Sequence, residues 1–297
     1  MKVLISGASG LVATELIKQL RENGHEPIKL VRRPAVAADE VEWHPDRHEL
    51  ADGVIDSVDA VVNLAGATTG KLPWTKKYKN ELVGSRIDST KTLVDAMHRA
   101  GRKPRVFVSG SASGIYGDRG DEVISEQSSK GFGFLAELAF AWEQEAMKAP
   151  TETRVVLART TMVMSRRLGA LGRLLPLIRL GVGGPLGDGK QWWAWITEVD
   201  EAAAIRHLID ADSARGAFNL TAPQPATCGQ VVKALAKELH RPALLPVPAF
   251  ALKLAFGEAA QELLLCSQKM TASKLLDSGF VFHHPTLESA AKYVVGK

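Results

Sequence analysis

The chain has 297 residues, 45% hydrophobic and 24% charged, which is enough apolar content to bury a core as one large α/β domain or a domain with a smaller appendage, and excludes intrinsic disorder. Its formal charge of +4, from 37 basic and 33 acidic residues, comes with no zinc-ligand array and no aromatic-basic platform, which excludes nucleic acid as partner and points to an anionic small molecule. Two isolated cysteines, Cys228 and Cys266, make no disulfide framework, and with no signal-peptide core and no apolar run near the ~18 residues of a span, a cytoplasmic protein with no membrane partner is expected.

The first apolar run, KVLIS, is continuous rather than alternating, as a strand buried on both faces should be. Gly7-Ala8-Ser9-Gly10-Leu11-Val12-Ala13 follows and then an amphipathic run closed by Gly24. A glycine-rich turn between a strand and a helix is the context that gives a dinucleotide fingerprint its meaning. Gly7 turns where a side chain would clash, Gly10 lets the backbone approach a pyrophosphate, and Ala13 is small enough to seat the helix. The unpaired amides of Ser9 to Val12 then face negative charge.

The next strand, PIKLV, ends at Arg32-Arg33. A site that prefers NAD places an acid there against the ribose hydroxyls, but the first acid downstream is Asp39, beyond Pro34. Two guanidiniums at that point favour a 2′-phosphate, so NADP(H) is expected over NAD(H). DAVVNLAGAT then reads as a fourth strand ending at Leu64, Ala65 and Gly66, small enough beyond Leu64 for the adenosine half of a cofactor to lie against the chain. A long helical pattern runs to Arg99 and carries Ser85, Arg86 and Asp88, with residues 86 and 90 on one face. Arg86 is a candidate for holding a phosphate or a carboxylate, with an ion pair to a neighbouring helix as the equal alternative.

Beyond Gly101 and Pro104, PRVFVSG gives a strand with Ser111 just past it and Tyr116 close after, and FLAELAFAWEQEAMK gives a helix stopped by Pro150. TRVVLAR is the following strand and ends at Arg159-Thr160. The order βαβα with unbroken apolar strands predicts a Rossmann-type, doubly wound parallel sheet. The pattern then changes, with a substrate-side excursion over about 165–197. Its glycine-dense turn, Gly183-Gly184-Pro185-Leu186-Gly187-Asp188-Gly189, reads as a loop approaching a ligand, with Gln191 and Trp195 beside it. Arg159, Gly187, Gln191 and Trp195 are therefore the candidate substrate-binding residues. A helix from Glu198 follows, and a small, mostly helical C-terminal domain over 226–297 is set against a nucleotide domain over 1–225. His44, His48, His283 and His284 lack further ligands at useful spacing, so no metal is expected.

Together GASGLVA, NLAGATTGKLPWTKKYKNELVGSRIDST, VSGSASGIYGD, FLAELAFAWE, GVGGPLGDGKQWWAWITEVD and LLPVPAFALKLAFGEAAQELL resemble the extended short-chain dehydrogenase/reductase superfamily. Within it they are similar to the atypical YfcH-like branch, the nucleoside-diphosphate-sugar epimerase family proteins. The resemblance covers nearly the whole chain. It implies a Rossmann domain with a C-terminal domain closing over a cleft, and bound NADP(H). It also implies catalysis in which a tyrosine, with a lysine four residues on, moves a hydroxyl proton while a serine polarises the same oxygen. Ser111 matches the serine. The helix that should carry the other two has Leu135 and Ala139 at those positions, or Phe134 and Leu138 one residue earlier. Tyr116, Glu137 and Asp118 lie nearby; a packed ring, a solvated carboxylate and a turn aspartate are their plainer readings, and Tyr116 is retained beside Ser111 as a catalytic candidate. The functional expectation is an NADP(H)-binding oxidoreductase or epimerase-like protein acting on a small anionic or sugar-like substrate, as monomer or homodimer. A non-catalytic NADP(H)-binding sensor or scaffold is the alternative.

Overall fold

The structure, a computed structural model, describes residues 1–166 and 171–296; part of the expected 165–197 excursion, residues 167–170, lies outside them. β1 (Lys2–Ser6), α1 (Leu11–Glu22) and β2 (Glu26–Val31) come first, followed by β3 (Glu40–His44), β4 (Glu49–Leu50) and β5 (Ala60–Asn63). α2 (Lys76–Arg99), β6 (Val106–Ala112), β7 (Val123–Ile124), α3 (Phe134–Ala146) and β8 (Arg154–Thr160) complete the N-terminal half. Next are β9 (Met162–Met164), α4 (Leu171–Arg179), β10 (Trp192–Trp193), β11 (Trp195–Thr197), α5 (Glu198–Asp210) and β12 (Gly216–Leu220). β13 (Ala226–Thr227), α6 (Cys228–Leu239), α7 (Ala249–Phe256), a π-helical turn over Ala260–Leu265, β14 (Lys269–Met270), α8 (Ser273–Asp277) and α9 (Leu287–Val295) end the chain.

Eight strands form one sheet in the order β12-β8-β6-β5-β1-β2-β3-β4. All neighbours are parallel except β3 and β4. The order turns back at β1, with β2 on one side and β5 on the other, and in doubly wound sheets the crevice beyond the strand ends at such a switch is where a ligand fits. α1 and α5 cover one face through Ile5, Leu16, Val62, Val108 and Ile205; α2 and α3 cover the other, where Leu4, Val61, Leu93, Met97 and Phe107 are packed. Burial on both faces is why these strands are continuous apolar runs. Residues 60–63 are thus the fifth strand, not the fourth, because the β3–β4 pair precedes them.

The chain after residue 220 is woven back onto the sheet half. β14 pairs with β7, Lys274 on α8 donates to the carbonyls of Arg215 and Ala217, and α6, α9 and α4 enclose a second core with Met164, Trp193 and Trp195. Asp200, fully buried at the start of α5, accepts hydrogen bonds from the backbone amides of His283 and His284 at 2.7 and 3.0 Å, which ties the C-terminal stretch to the sheet layer.

Candidate functional site

The turn after β1 has one backbone solution. Gly7 has φ of +67°, and a Cβ there would lie 2.5 Å from the Leu64 carbonyl oxygen and 2.9 Å from the Ala65 nitrogen. Glycine is required on both counts, because the left-handed conformation strains other residues and the β5 end leaves no room. Gly10 accepts less space than a side chain needs, with a built Cβ 3.1 Å from the Gly7 oxygen, and its own amide donates to that oxygen at 2.8 Å. α1 then starts with no side-chain cap and no acid in its first turn. Helices normally satisfy these first amides with a capping side chain, so Leu11 and Val12, both half-buried, and exposed Ser9 stand around an uncapped, positively polarised helix end.

Beneath this turn a buried polar chain fixes the end of β5. The Ser6 hydroxyl donates to Asn63 Oδ1 at 2.5 Å, Asn63 Nδ2 donates to the Thr90 hydroxyl at 2.9 Å, and Trp142 Nε1 donates to the same hydroxyl at 2.9 Å. Leu64, Ala65 and Gly66 follow directly, and the Arg86 guanidinium lies over them: a Cβ on Gly66 would be 3.1 Å from Arg86 Cζ. Arg86 donates to the Leu82 carbonyl at 3.0 Å and sits 5.2 Å from the centre of the Trp142 ring. The ion pair weighed for it from the sequence is absent among the described residues. Burial pushes its pKa down to about 10, and an anion beside it would offset that desolvation.

At the far end of β2 the two arginines part. Arg33 makes two 2.9 Å bonds to the Glu40 carboxylate, which also accepts from the Val36 amide; the Arg33 hydrogen bond, reinforced by that amide, pulls the Glu40 carboxyl down to about 2. This corrects the expected pair of available guanidiniums. The neutralising acid is on β3, seven residues on, rather than absent. Arg32 is exposed and has no ion-pair partner among the described residues.

The candidate catalytic and substrate residues beyond β6 are brought together, but inward. Ser111 and Arg159 are paired across β6 and β8, and Asn219 and Arg159 across β12 and β8. Glu143 on α3 closes on this row: the Ser111 hydroxyl donates to Oε1 at 2.6 Å, and Arg159 donates from Nε to Oε1 at 2.8 Å and from Nη2 to Oε2 at 2.9 Å. Arg159 Nη1 reaches the Tyr116 hydroxyl at 2.7 Å, and that hydroxyl donates to Asn219 Oδ1 at 2.7 Å. Burial is the strongest single influence on the Arg159 charge and works against it, yet the hydrogen bonds and charge interactions of Glu143 and Tyr116 together outweigh it and hold the guanidinium above its usual range. Burial likewise raises the Tyr116 phenol. Tyr116 is therefore the packed ring, and Arg159 is a clamp between strands and helix rather than a free cation for substrate. Glu143 and Asn219 were missed because acids and amides on a helix or strand carry no sign of an inward direction until the register is known.

The glycine loop also turns inward. A Cβ on Gly184 would be 2.1 Å from the Leu245 oxygen, Gly187 donates to the Val247 carbonyl at 2.8 Å, and Gly189 packs on Gly229. The close approach expected toward a ligand is thus made to the chain over 245–249 and to α6. Gln191 donates to the carbonyls of Leu186 and Leu264, and Trp195, 1% exposed, donates to the Gln224 carbonyl. These polar contacts of the loop and of Trp195 are thus with backbone, whereas the Ser111 hydroxyl is turned to Glu143. Glu262 of the π-helical turn reaches the start of α3, accepting from the Phe134 and Leu135 amides at 2.8 and 2.7 Å. Leu135, where a proton-transferring tyrosine was sought, packs on Gly114. Among the described residues, no group of histidines, cysteines and acids is placed to hold a metal.

Residues 3–221 match the model of the NAD dependent epimerase/dehydratase family, and residues 247–294 match a domain of unknown function, DUF1731. The epimerase family protein ML0860 of Mycobacterium leprae is 39% identical over 98% of this chain and 94% of its own. The structure of the human epimerase family protein SDR39U1 with NADPH superposes with a TM-score of 0.93 at 30% identity, covering all of both chains. MoeE5 in complex with UDP-glucuronic acid and NAD, 21% identical with a TM-score of 0.76 over 99% of this chain and 98% of its own, shares the fold.

Proposed function

The chain belongs to the NAD dependent epimerase/dehydratase family, and from that premise we propose that it binds NADP(H) in preference to NAD(H) and acts as an oxidoreductase or epimerase-like protein on a small anionic or sugar-like substrate. The observation that carries this reading is the uncapped first turn of α1, approached by a backbone that admits only glycine at position 7. A diphosphate fits amides left without partners in just that way. Arg32 is the cation for the 2′-phosphate, Leu64 to Gly66 take the adenosine side, and Arg86 waits over Gly66 for an anion. That a relative 32% identical over nearly the whole chain, human SDR39U1, has been seen with NADPH supports the cofactor choice.

When bound, the nicotinamide supplies reversible hydride transfer. The chain's own residues place it, and the two retained as catalytic candidates already have hydrogen-bond partners inside the fold. Ser111 is a positioning residue whose hydroxyl is committed to Glu143, and Tyr116 is committed to Asn219. Leu135 and Ala139 offer nothing to titrate. The same commitments favour a second reading, binding without turnover, in which the protein senses the NADPH pool.

Nicotinamide fluorescence on mixing with NADPH, followed by a screen of carbonyl compounds and nucleotide sugars for oxidation of the bound cofactor, separates the two. Turnover of any metabolite supports the enzyme and ends the sensor reading. Binding with inertness across a broad panel supports the sensor and counts against the enzyme, and lack of any binding ends both.

A further inference from the structure

Two strips of chain far apart in sequence run side by side on the C-terminal half and leave their apolar side chains in solvent. Gly181 lies against Pro242, with a built Cβ 3.6 Å from its ring, Gly184 lies on Leu245, and Leu186 bridges to Val247. Leu180, Val182, Leu244, Leu245, Phe250 and Leu254 project from this seam, Phe250 at 74% exposed and Leu254 at 87%. Singly exposed leucines need no account, whereas a contiguous set of this size marks an interaction surface.

Charge narrows the occupant. Neither 171–187 nor 239–257 contains a carboxylate. Arg179, Arg241 and Lys253, all exposed, rim the seam with no ion-pair partner among the described residues. A second copy of the chain would bring the same cations against themselves across a two-fold axis, which disfavours it. The seam also has no tyrosine or tryptophan, the side chains that anchor most protein partners in pockets. Leucine, valine and phenylalanine standing free above arginine and lysine suit a fluid apolar layer under anionic headgroups.

We infer that the surface formed by residues 180–186 and 242–254 docks this protein on an anionic lipid bilayer, as a peripheral contact. No helix among the described residues is long and apolar enough to cross a membrane, and the expectation of no membrane partner drew on that length criterion; adsorption at the headgroup level needs none. The seam shares no residue with the α1 turn, so vesicle binding is read without cofactor present.

The test is co-sedimentation of the full chain with vesicles of phosphatidylcholine alone and of phosphatidylcholine mixed with phosphatidylglycerol. The protein pellets with the mixed vesicles only and is released by high salt. Leu180→Gln with Leu254→Gln, and separately Arg179→Glu with Lys253→Glu, each lower the bound fraction about tenfold or more while circular dichroism and Tm stay at the wild-type values. Failure to sediment with phosphatidylglycerol, or undiminished binding by both double variants, overturns the inference. A concentration-dependent dimer in sedimentation velocity that the leucine variant dissolves, or an acidic protein captured where vesicles are not, also overturns it.

Discussion

Gly7 carries two demands at once, a φ of +67° and a clearance that a methyl group would cut to 2.5 Å. Gly7→Ala is expected to lose about 1–3 kcal/mol of stability and to lose NADPH binding outright, since relief of the clash moves the α1 amides; unaltered affinity in a titration would show that the turn does not serve the cofactor. Arg32 and Arg33 are indistinguishable in the sequence, and what separates them is a Glu40 that reaches back from β3. Arg32→Ala should therefore weaken NADPH much more than NADH, while Arg33→Ala changes the two cofactors alike, and the ratio of the two affinities in each variant checks it. Glu201 was not singled out from the sequence at all. It is fully buried on α5, with one oxygen accepting from Thr160 at 2.6 Å and the other unpartnered, and burial pushes its carboxyl from 4.5 up to about 8. The folded state keeps a proton that the unfolded chain has released, so this group's contribution declines as pH rises from 4.5 through about 8 and is level above that. Tm measured across that window should fall less in Glu201→Gln than in the wild type; parallel curves would mean that Glu201 is ionised in its site.

Within single elements, periodicity located helices and strands well where burial was two-sided or amphipathic, as in α1, α2, α5 and β6. The β3–β4 pair escaped because EVEWH alternates acids with apolar residues at the sheet edge and β4 spans only Glu49–Leu50. The direction of polar side chains escaped too. FLAELAFAWEQEA showed plainly that α3 lacks a tyrosine and lysine, yet nothing in it told that Glu143 closes on Ser111 and Arg159. Glu143→Ala leaves the Arg159 charge buried with no carboxylate, and a loss of about 3–5 kcal/mol is expected in denaturant unfolding. A loss under 1 kcal/mol, on the scale of surface pairs, would place that pair in water. Glu262 caps α3 from the opposite end of the chain beside Gly133 at φ of +112°. Removing its carboxylate in Glu262→Ala should cost about 1 kcal/mol and speed hydrogen exchange at the first α3 amides and at 260–265 together, because one contact holds both.

At the scale of the whole molecule, the doubly wound sheet and the nucleotide turn were legible because each follows from local order: strand, glycine turn, helix, in register with the switch beside β1. The substrate side was not legible, for a physical reason. Gly184, Gly187 and Gly189 look the same in sequence whether the backbone they admit is a ligand or another stretch of chain, and here it is the chain at 245–249 and at Gly229. Trp195 and Gln191 likewise donate to backbone carbonyls, a direction that sequence does not carry. The structure pairs a polarised helix end after β1 with a guanidinium without an ion-pair partner among the described residues at Arg32 after β2 and another at Arg86 over the segment after β5. Calorimetric titration of the purified chain with NADPH and with NADH addresses this arrangement directly. Saturable heat with NADPH at a Kd on the order of micromolar, weaker binding of NADH, and loss of that difference in Arg32→Glu are predicted; no heat with either cofactor at millimolar concentration would contradict the account.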